Sequence, residues 1–405
     1  MNSGAGLIKR QFNAKKLQRI NEFTESYVNQ AKSAGMLTLV YHQDEIVHQH
    51  TTGYRDIASA SPIESDTIFR IYSLTKPITS VALMMLLEKG YFQIDDNADR
   101  WIPALKNLKI FNKSGTHEPL EQPITIRHLL THTAGFSYGF YPDSNPVDKL
   151  YQQTWGEKKY DKSLAELMDR ILTLPLYAQP GHLWHYSIAT DLCGYIVELI
   201  SGMPLSEFFI KHIFQPLGMP DTGFVVPREN LDRFSTLYGV TESDPLAVLE
   251  TDENSPYYSL SDKKKLRLES GGGGLVSTAP DYLQFARMML NKGELNGTRL
   301  LNRQTVEWMT CNHLDPSLLP LSYNGVVPQN LSCYGFGLGY CINMDAAHAG
   351  TMGSTGDYGW GSLADSYCWV DPTENLIGLL MQQLIPSLHH AGRRDFRNAV
   401  YQALE

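Results

Sequence analysis

An apolar stretch near residue 80 constrains the fold of this chain more than any other feature. Residues 81–87 read Val-Ala-Leu-Met-Met-Leu-Leu without interruption, and Pro77 stands shortly before them. Proline suits only the first turn of a helix, where its missing N–H would form no bond. A helix that is apolar on all sides must lie in a core. The sequence therefore predicts a buried helix that starts near Ser73, with the rest of the chain packed around it.

Ser73 and Lys76 stand at the predicted start of this helix, in the sequence Ser-Leu-Thr-Lys. Residues three apart share one face of a helix. A partly desolvated amine can lose its charge and accept the proton of a neighbouring hydroxyl. The free N–H groups of the helix end can stabilise an oxyanion. The pair is therefore a candidate nucleophile and base, although Ser-x-x-Lys by itself is also compatible with an ordinary helix cap and a solvated lysine.

Charge and composition argue against several classes of partner. The net charge is −9, and no basic run suits nucleic acid or anionic lipid. No apolar run approaches the length of a membrane span. The N-terminal residues lack the apolar region of a signal peptide, and five cysteines without CxxC spacing suit reduced thiols. We expect a cytoplasmic protein with no nucleic-acid or membrane partner; its oligomeric state is left open.

Strand patterns lie at both ends of the chain and helical patterns lie between them. This order predicts an α/β region built from residues 1–80 and 271–405, with a mostly helical region, residues 81–270, inserted between its two parts. Residues 140–160 are expected to form a loop. The predicted strands are Met36–His42, Glu45–Thr51, Gly335–Ile342, Tyr367–Val370 and Leu376–Gln382.

A second candidate nucleophile is Ser137, in the formal G-x-S-x-G motif of residues 135–139. A nucleophile elbow must follow a strand and open a helix. Here a helical pattern precedes the motif and a loop containing Pro142 follows it. A loop that lines a pocket is the better interpretation. Its aromatic residues Phe136 and Tyr138, together with Phe140, Tyr141 and Trp155, are candidates for substrate contact, and core packing is the alternative.

Tyr186 precedes another predicted helix. A phenol beside an ammonium group can relay protons, so Tyr186 is a candidate base if it meets Lys76 in space. The alternative is a half-buried packing residue. Metal signals are weak, because the pairs His48/His50 and His389/His390 are more typical of surface histidines than of ligands.

In chain order, these motifs resemble the serine β-lactamase and penicillin-binding-protein superfamily, specifically its class C-like branch and the family VIII carboxylesterases. The resemblance is spread over nearly the whole chain. It rests on Ser73–Lys76, residues 129–135, Tyr186–Ser187, residues 216–219 with 221–224, residues 272–278, and Trp360–Gly361 ahead of residues 369–372.

The resemblance implies roles for particular residues. Ser73 would be the acylated nucleophile, Lys76 its partner, and Tyr186 the general base or proton relay. The backbone N–H groups of Ser73 and Leu363 would form the oxyanion hole. The implied fold is an antiparallel sheet flanked by helices plus an all-helical region, with the site in the cleft between them. The implied mechanism needs no metal and no cofactor.

Departures from the superfamily pattern bear on the substrate. Ile188 stands where class C enzymes carry an amide side chain, and Trp360-Gly361-Ser362 replaces the Lys-Thr-Gly triad. The resemblance implies that these four residues contact the substrate. Losing that lysine removes a charge-assisted contact to a substrate carboxylate, and an indole favours apolar, uncharged groups. Ser362 and Asp365 also differ from the glycines usual in the esterases, which affects the shape of this strand edge.

These observations lead to the hypothesis of a serine carboxylesterase that acts on short-chain, small-molecule esters. An acyltransferase of the same fold would use the same residues. A β-lactamase or D-aminopeptidase is the less favoured enzyme alternative, since the lysine triad and an export signal are missing. A non-catalytic sensor that stays acylated is the remaining alternative.

Overall fold

An eight-stranded antiparallel sheet forms the centre of the computed structural model, which describes residues 11–111, 116–155, 162–250, 268–322 and 332–405. The N-terminal residues 1–10, on which the secretion prediction rests, lie outside this part of the chain. Both ends of the chain contribute strands, as predicted. In spatial order the strands are Tyr334–Phe336, Cys341–Asn343, Tyr358–Gly361, Tyr367–Asp371, Leu376–Met381, Gly35–His42, Glu45–Asp56 and Ser61–Pro62.

The strand Gly35–His42 lies inside the sheet and is buried along its whole length. It pairs with Leu376–Met381 on one side and with Glu45–Asp56 on the other. Its sequence, Gly-Met-Leu-Thr-Leu-Val-Tyr-His, is accordingly apolar on both faces, because helices cover the sheet from both sides. In a strand whose two faces are both covered, the side chains do not alternate between apolar and polar residues.

One face of the sheet is covered by the first and last helices, Ala14–Asn29 and Gly392–Ala403, which pack against each other. Their apolar stripes meet the sheet in a cluster that includes Ile20, Trp369 and Phe396. The amphipathic patterns of both helices are therefore explained by one shared core layer.

The opposite face is covered by the helix Ala279–Leu290, which contacts the strands Tyr367–Asp371 and Leu376–Met381. The central helix is Thr75–Glu88, preceded by a 3₁₀ turn at Tyr72–Leu74. Pro77 lies in its first turn, and nearly every residue is buried, including Lys76. The predicted buried helix is thus confirmed. It packs against the helix Ala189–Ser201, which begins just after Tyr186.

Helices dominate the chain between the two halves of the sheet. Local signals fix several of their ends: Ser163 and Glu166 form a capping box, and Gly202 ends a helix in the left-handed conformation. The remaining α-helices of the described residues are Ile126–Leu130, Pro146–Trp155, Leu164–Ile171, Leu205–Phe209, Gln215–Leu217, Ala279–Leu290 and Arg303–Met309, with a π-helical turn at Ile210–Phe214.

Within the described ranges, short strands form four small sheets outside the main one. They are Phe69–Arg70 with Val276–Ser277, Lys109–Phe111 with His117–Pro119, Glu294–Leu295 with Thr298–Arg299, and Leu384–Ile385 with Leu237–Gly239 and Ala247–Glu250.

Two predictions of local structure were wrong. Residues 146–155, predicted as loop, form a helix, and the predicted strand Gly335–Ile342 is two strands, Tyr334–Phe336 and Cys341–Asn343, joined by a turn. A single hydrophobic cluster runs from Leu37 in the sheet through the central helix to Leu192. The proposed boundaries of the inserted region therefore stay predictions.

Candidate active site

Ser73 lies in the 3₁₀ turn that leads into the central helix, and its side chain is half-buried. The preceding residue, Tyr72, has a positive φ of 42°. For a residue with a large side chain, such a conformation costs about 1–3 kcal/mol. The surrounding structure therefore holds the backbone before Ser73 in a conformation that an isolated peptide would avoid.

Lys76 and Tyr186 both contact the Ser73 hydroxyl. The Tyr186 hydroxyl donates to Ser73 Oγ at 2.7 Å, and Lys76 Nζ donates to the same atom at 3.3 Å. Lys76 Nζ also lies 4.6 Å from the centre of the Tyr186 ring. The structure thus brings together the three residues that the sequence singled out, although Tyr186 lies more than 100 positions from the other two.

Lys76 Nζ donates two further hydrogen bonds, to the Tyr138 hydroxyl at 2.9 Å and to the Gly272 carbonyl at 2.6 Å. Sequence reasoning placed Tyr138 on the pocket wall but missed its contact with the lysine, and it assigned Gly272 no role in the site. The signal for Gly272 was present in the run of four glycines at residues 271–274, because such runs allow close backbone approach.

Aromatic rings surround Tyr186. The indole N–H of Trp360 donates to the Tyr186 hydroxyl at 3.3 Å, and the two ring centres are 5.3 Å apart. His132 lies on another side, at 4.8 Å. Burial lowers the pKa of His132 well below its ordinary value, and the Lys76 charge lowers it further. A neutral histidine therefore adds no second positive charge to the site.

The turn that follows the strand Tyr358–Gly361 is held by an ion pair. Asp365 is buried in a left-handed conformation (φ 66°) and pairs with Arg393 at 2.7 Å. Arg393 also donates to the Ser362 carbonyl at 2.6 Å. Ser362 and Asp365, the two residues that replace glycines usual in the esterases, thus belong to one turn that Arg393 holds by an ion pair and a hydrogen bond.

Leu363 is exposed at the tip of this turn and lines the cavity above Ser73. Within the described part of the chain, its N–H donates to no protein acceptor. The strand Tyr358–Gly361 contacts the 3₁₀ turn that carries Ser73. An N–H group at this place can face a substrate carbonyl held over Ser73, in keeping with the predicted oxyanion hole, which stays a prediction.

A cavity of about 590 Å³ opens at Ser73. Of the predicted substrate contacts, Tyr138, Trp360, Gly361 and Ser362 line it. Its rim carries the exposed apolar side chains of Phe140, Tyr141, Leu363 and Leu388. Sequence reasoning had assigned Leu388 no role in the site.

Phe136 and Ile188 do not line the cavity, so their assignment as substrate contacts was wrong. Both side chains are fully buried in the main hydrophobic core. The adjacent Gly135, at φ 86°, packs so closely on Ala178 that a Cβ atom would lie 2.1 Å from its carbonyl oxygen, so the backbone beside Phe136 lies against the protein interior. Ile188 directly precedes the helix Ala189–Ser201 and faces the core.

Ser137, the serine of the G-x-S-x-G motif, is buried away from the cavity. It donates to Asp148 at 2.5 Å and lies 3.3 Å from His185 Nε2. Asp148 in turn accepts from the Tyr141 N–H. These bonds tie the aromatic loop to the helix Pro146–Trp155, so Ser137 holds a wall of the cavity, as the loop interpretation predicts.

Among the described residues, no group of three or more His, Cys, Asp or Glu side chains could hold a metal ion. In the same part of the chain, no single helix is long and apolar enough for a membrane span, and one sharply bent pair, Ala189–Ser201 with Leu205–Leu217, meets the criteria by length and composition alone.

Comparison with known proteins identifies the family and the fold of this chain. A family model described as Beta-lactamase matches residues 20–402. An uncharacterised protein of Mycobacterium tuberculosis is 34% identical over 363 residues, which cover 88% of this chain and 87% of that protein. The esterase EstB of Burkholderia gladioli is 27% identical over 373 residues, covering 90% and 89% of the two chains.

Among solved structures, EstCE1, described as a hydrolase with promiscuous acyltransferase activity, is similar over 96% of this chain and 99% of its own. The TM-score is 0.80 and the sequence identity is 25%. The similarity therefore extends over the sheet and the helical region together.

Proposed function

The chain belongs to the beta-lactamase family, in the branch of the family VIII esterases, and from this premise we propose that it is a serine carboxylesterase that forms an acyl-enzyme on Ser73. The relatives of this chain support the general class of activity, a serine hydrolase or acyltransferase. The proposal of carboxylester hydrolysis through an acyl-enzyme on Ser73 rests on the hydrogen bonds that Lys76 Nζ and the Tyr186 hydroxyl both make to Ser73 Oγ.

In the proposed acylation step, Ser73 Oγ attacks the ester carbonyl carbon while its proton passes to the Lys76–Tyr186 pair. The carbonyl oxygen becomes an oxyanion, which the N–H groups of Ser73 and Leu363 stabilise. The C–O bond to the alcohol then breaks, and the alcohol leaves with the proton that the pair returns. In deacylation, water attacks the acyl carbonyl carbon and gives a proton to the Lys76–Tyr186 pair. The bond between the acyl group and Ser73 Oγ then breaks, the carboxylic acid leaves, and Ser73 regains its proton from the pair.

The wall of the cavity supports an uncharged substrate. Trp360 presents an indole where related enzymes have a lysine. Two of the arginines that line the cavity, Arg393 and Arg397, are already paired with Asp365 and Asp357. We propose esters with a short acyl chain. The cavity volume exceeds the needs of such a chain and leaves room for a bulky alcohol.

The test is hydrolysis of p-nitrophenyl acetate, butyrate and longer esters beside a chromogenic cephalosporin, with the wild type and Ser73→Ala. We expect ester turnover by the wild type, little cephalosporin turnover, and a loss of at least about 10³-fold in Ser73→Ala, because the nucleophile is gone. Residual activity near the wild-type level in Ser73→Ala would refute the assignment. Strong cephalosporin turnover would place the chain with the lactamases.

An acyltransferase is the second candidate, and the large open cavity favours it, since an acceptor alcohol could bind beside the acyl-enzyme. EstCE1 is described as having such an activity in addition to hydrolysis. Product analysis with an added alcohol separates the two, because ester exchange that outruns hydrolysis identifies a transferase. The cytoplasmic location and the absence of nucleic-acid and membrane partners stay predictions.

A further inference from the structure

A buried carboxylate lies behind the Lys76 amine. Asp191 belongs to the first turn of the helix Ala189–Ser201 and is completely shielded from solvent (0% exposed). Its Oδ1 accepts hydrogen bonds from the Ser270 hydroxyl at 2.6 Å and from the Gly272 N–H at 3.1 Å. Because one carboxyl oxygen accepts both hydrogen bonds, Asp191 fixes the orientation of the turn that contains both donors.

Gly272 connects Asp191 to Lys76. While its N–H donates to Asp191, its carbonyl oxygen accepts from Lys76 Nζ at 2.6 Å, which is shorter than the lysine's bonds to Tyr138 and Ser73. A Cβ atom at position 272 would lie 2.3 Å from Asp191 Oδ2 and 2.7 Å from the Tyr138 hydroxyl. Only glycine lets the carboxylate, the phenol and the lysine partner come this close.

The neighbouring Gly271 packs between the central helix Thr75–Glu88 and the helix Ala189–Ser201. Its carbonyl accepts from the Thr79 hydroxyl at 2.7 Å. A Cβ atom there would lie 3.1 Å from Thr79 Cγ2 and 3.2 Å from the Thr190 carbonyl oxygen. The glycine turn, residues 270–274, is therefore fixed on one side by the central helix and on the other by Asp191.

We propose that Asp191 is a positioning residue for Lys76. By accepting from Ser270 and Gly272, it orients the Gly272 carbonyl, and this carbonyl holds the Lys76 amine beside Ser73 Oγ. Asp191 contacts no substrate and acts through the glycine turn. The inference rests on the proposed function, because the placement of Lys76 matters to catalysis only if Ser73 is the nucleophile.

The first test compares Asp191→Ala with Asp191→Asn in hydrolysis of p-nitrophenyl butyrate. Asp191→Ala removes the acceptor of both bonds, so we expect kcat to fall about 30-fold or more while KM stays within about threefold. Asp191→Asn keeps one acceptor oxygen and should lose about tenfold. Asp169→Ala, which alters an exposed carboxylate on the helix Leu164–Ile171, is the matched control and should change neither constant.

A double-mutant cycle with Lys76→Ala separates positioning from a general structural role. The rate at which a fluorophosphonate labels Ser73 is measured in the wild type, both single variants and the double variant. If Asp191 acts through Lys76, Asp191→Ala should slow labelling less than about threefold once Lys76 is absent. Persistence of the full effect in the Lys76→Ala background would overturn the proposal.

Folding and the proposed function are checked separately. Circular dichroism and the thermal midpoint report whether each variant is folded. If Asp191→Ala does not fold, Asp191→Asn replaces it in the double-mutant cycle. In that case, a kcat of Asp191→Asn within threefold of the wild-type value overturns the inference. An active Ser73→Ala variant means that the proposed function itself has failed. An inactive Ser73→Ala variant beside a fully active Asp191→Ala refutes the positioning role alone.

Discussion

Tyr186 is the residue at which the contacts of the site converge. It donates to Ser73 Oγ, accepts from the Trp360 indole and lies with its ring over Lys76 Nζ. Tyr186→Phe keeps the ring and removes only the hydroxyl. We expect kcat for p-nitrophenyl butyrate to fall about 100-fold or more, because a positioned acid–base group contributes about 10²–10⁴-fold, whereas the thermal midpoint should change little.

Tyr138→Phe is the matched variant. It removes a hydroxyl that bonds to Lys76 at 2.9 Å, on a ring 5.4 Å from that of Tyr186. Its loss should be about tenfold or less, since the Gly272 carbonyl still holds the amine. Equal losses in the two variants would contradict the distinct role that we give to Tyr186.

At the scale of an element, the turn at residues 362–366 decides where the Leu363 N–H lies. Asp365→Ala breaks the pair with Arg393 and leaves alanine in a left-handed conformation. We expect kcat to fall about tenfold or more, because a displaced oxyanion donor loses much of its effect. Asp365→Asn should retain most activity, since asparagine tolerates this conformation and can still accept from the Leu388 N–H.

Steady-state kinetics with p-nitrophenyl butyrate measures both Asp365 variants. Asp345→Ala is the control, because Asp345 is an exposed carboxylate paired with an exposed histidine, His348. If Asp365→Ala keeps wild-type kcat while folded, the turn does not position a donor. If Asp365→Asn is as impaired as Asp365→Ala, the charge of the pair matters more than the turn conformation.

At the scale of the whole molecule, a buried ion pair joins the last helix to the sheet. Arg397 donates to Asp357 at 2.5 Å, and both side chains are almost fully buried. Arg397→Ala would leave the carboxylate of Asp357 buried without its partner, which typically costs about 3–5 kcal/mol. We expect urea unfolding to show a loss of that size in the free energy of unfolding.

Arg394→Ala, on the same helix, is the control. Arg394 is mostly exposed and pairs with the neighbouring Asp395, so its loss should stay within about 1 kcal/mol. If both variants lower the free energy of unfolding equally, the burial of the Arg397–Asp357 pair does not make it more important for stability than the exposed Arg394–Asp395 pair.

Local signals explain what could be predicted about the fold. The apolar run at residues 81–87, with Pro77 before it, predicts a buried helix without any information about its neighbours in the folded chain. The helix Pro146–Trp155 was missed although Val147, Leu150 and Tyr151 keep a helical spacing, because its ten residues lie within an aromatic, proline-containing stretch that as a whole is typical of a loop. Val147 and Tyr151 pack in the main core, and Asp148 bonds to Ser137 across a loop. No periodicity in the sequence records that bond.

The sequence by itself determined the nucleophile candidate, since Ser73 and Lys76 are three residues apart and a helix brings such residues together. It also singled out Tyr186 and Trp360, but only the tertiary structure placed Tyr186 against Ser73 and Trp360 against Tyr186. Phe136 and Ile188 were misassigned because an apolar side chain suits a core and a pocket wall equally well. Asp191, Gly272 and Arg393 make contacts that join distant parts of the chain. Packing, rather than spacing, decides which distant residues meet, and this is why the three-dimensional structure was needed to find them.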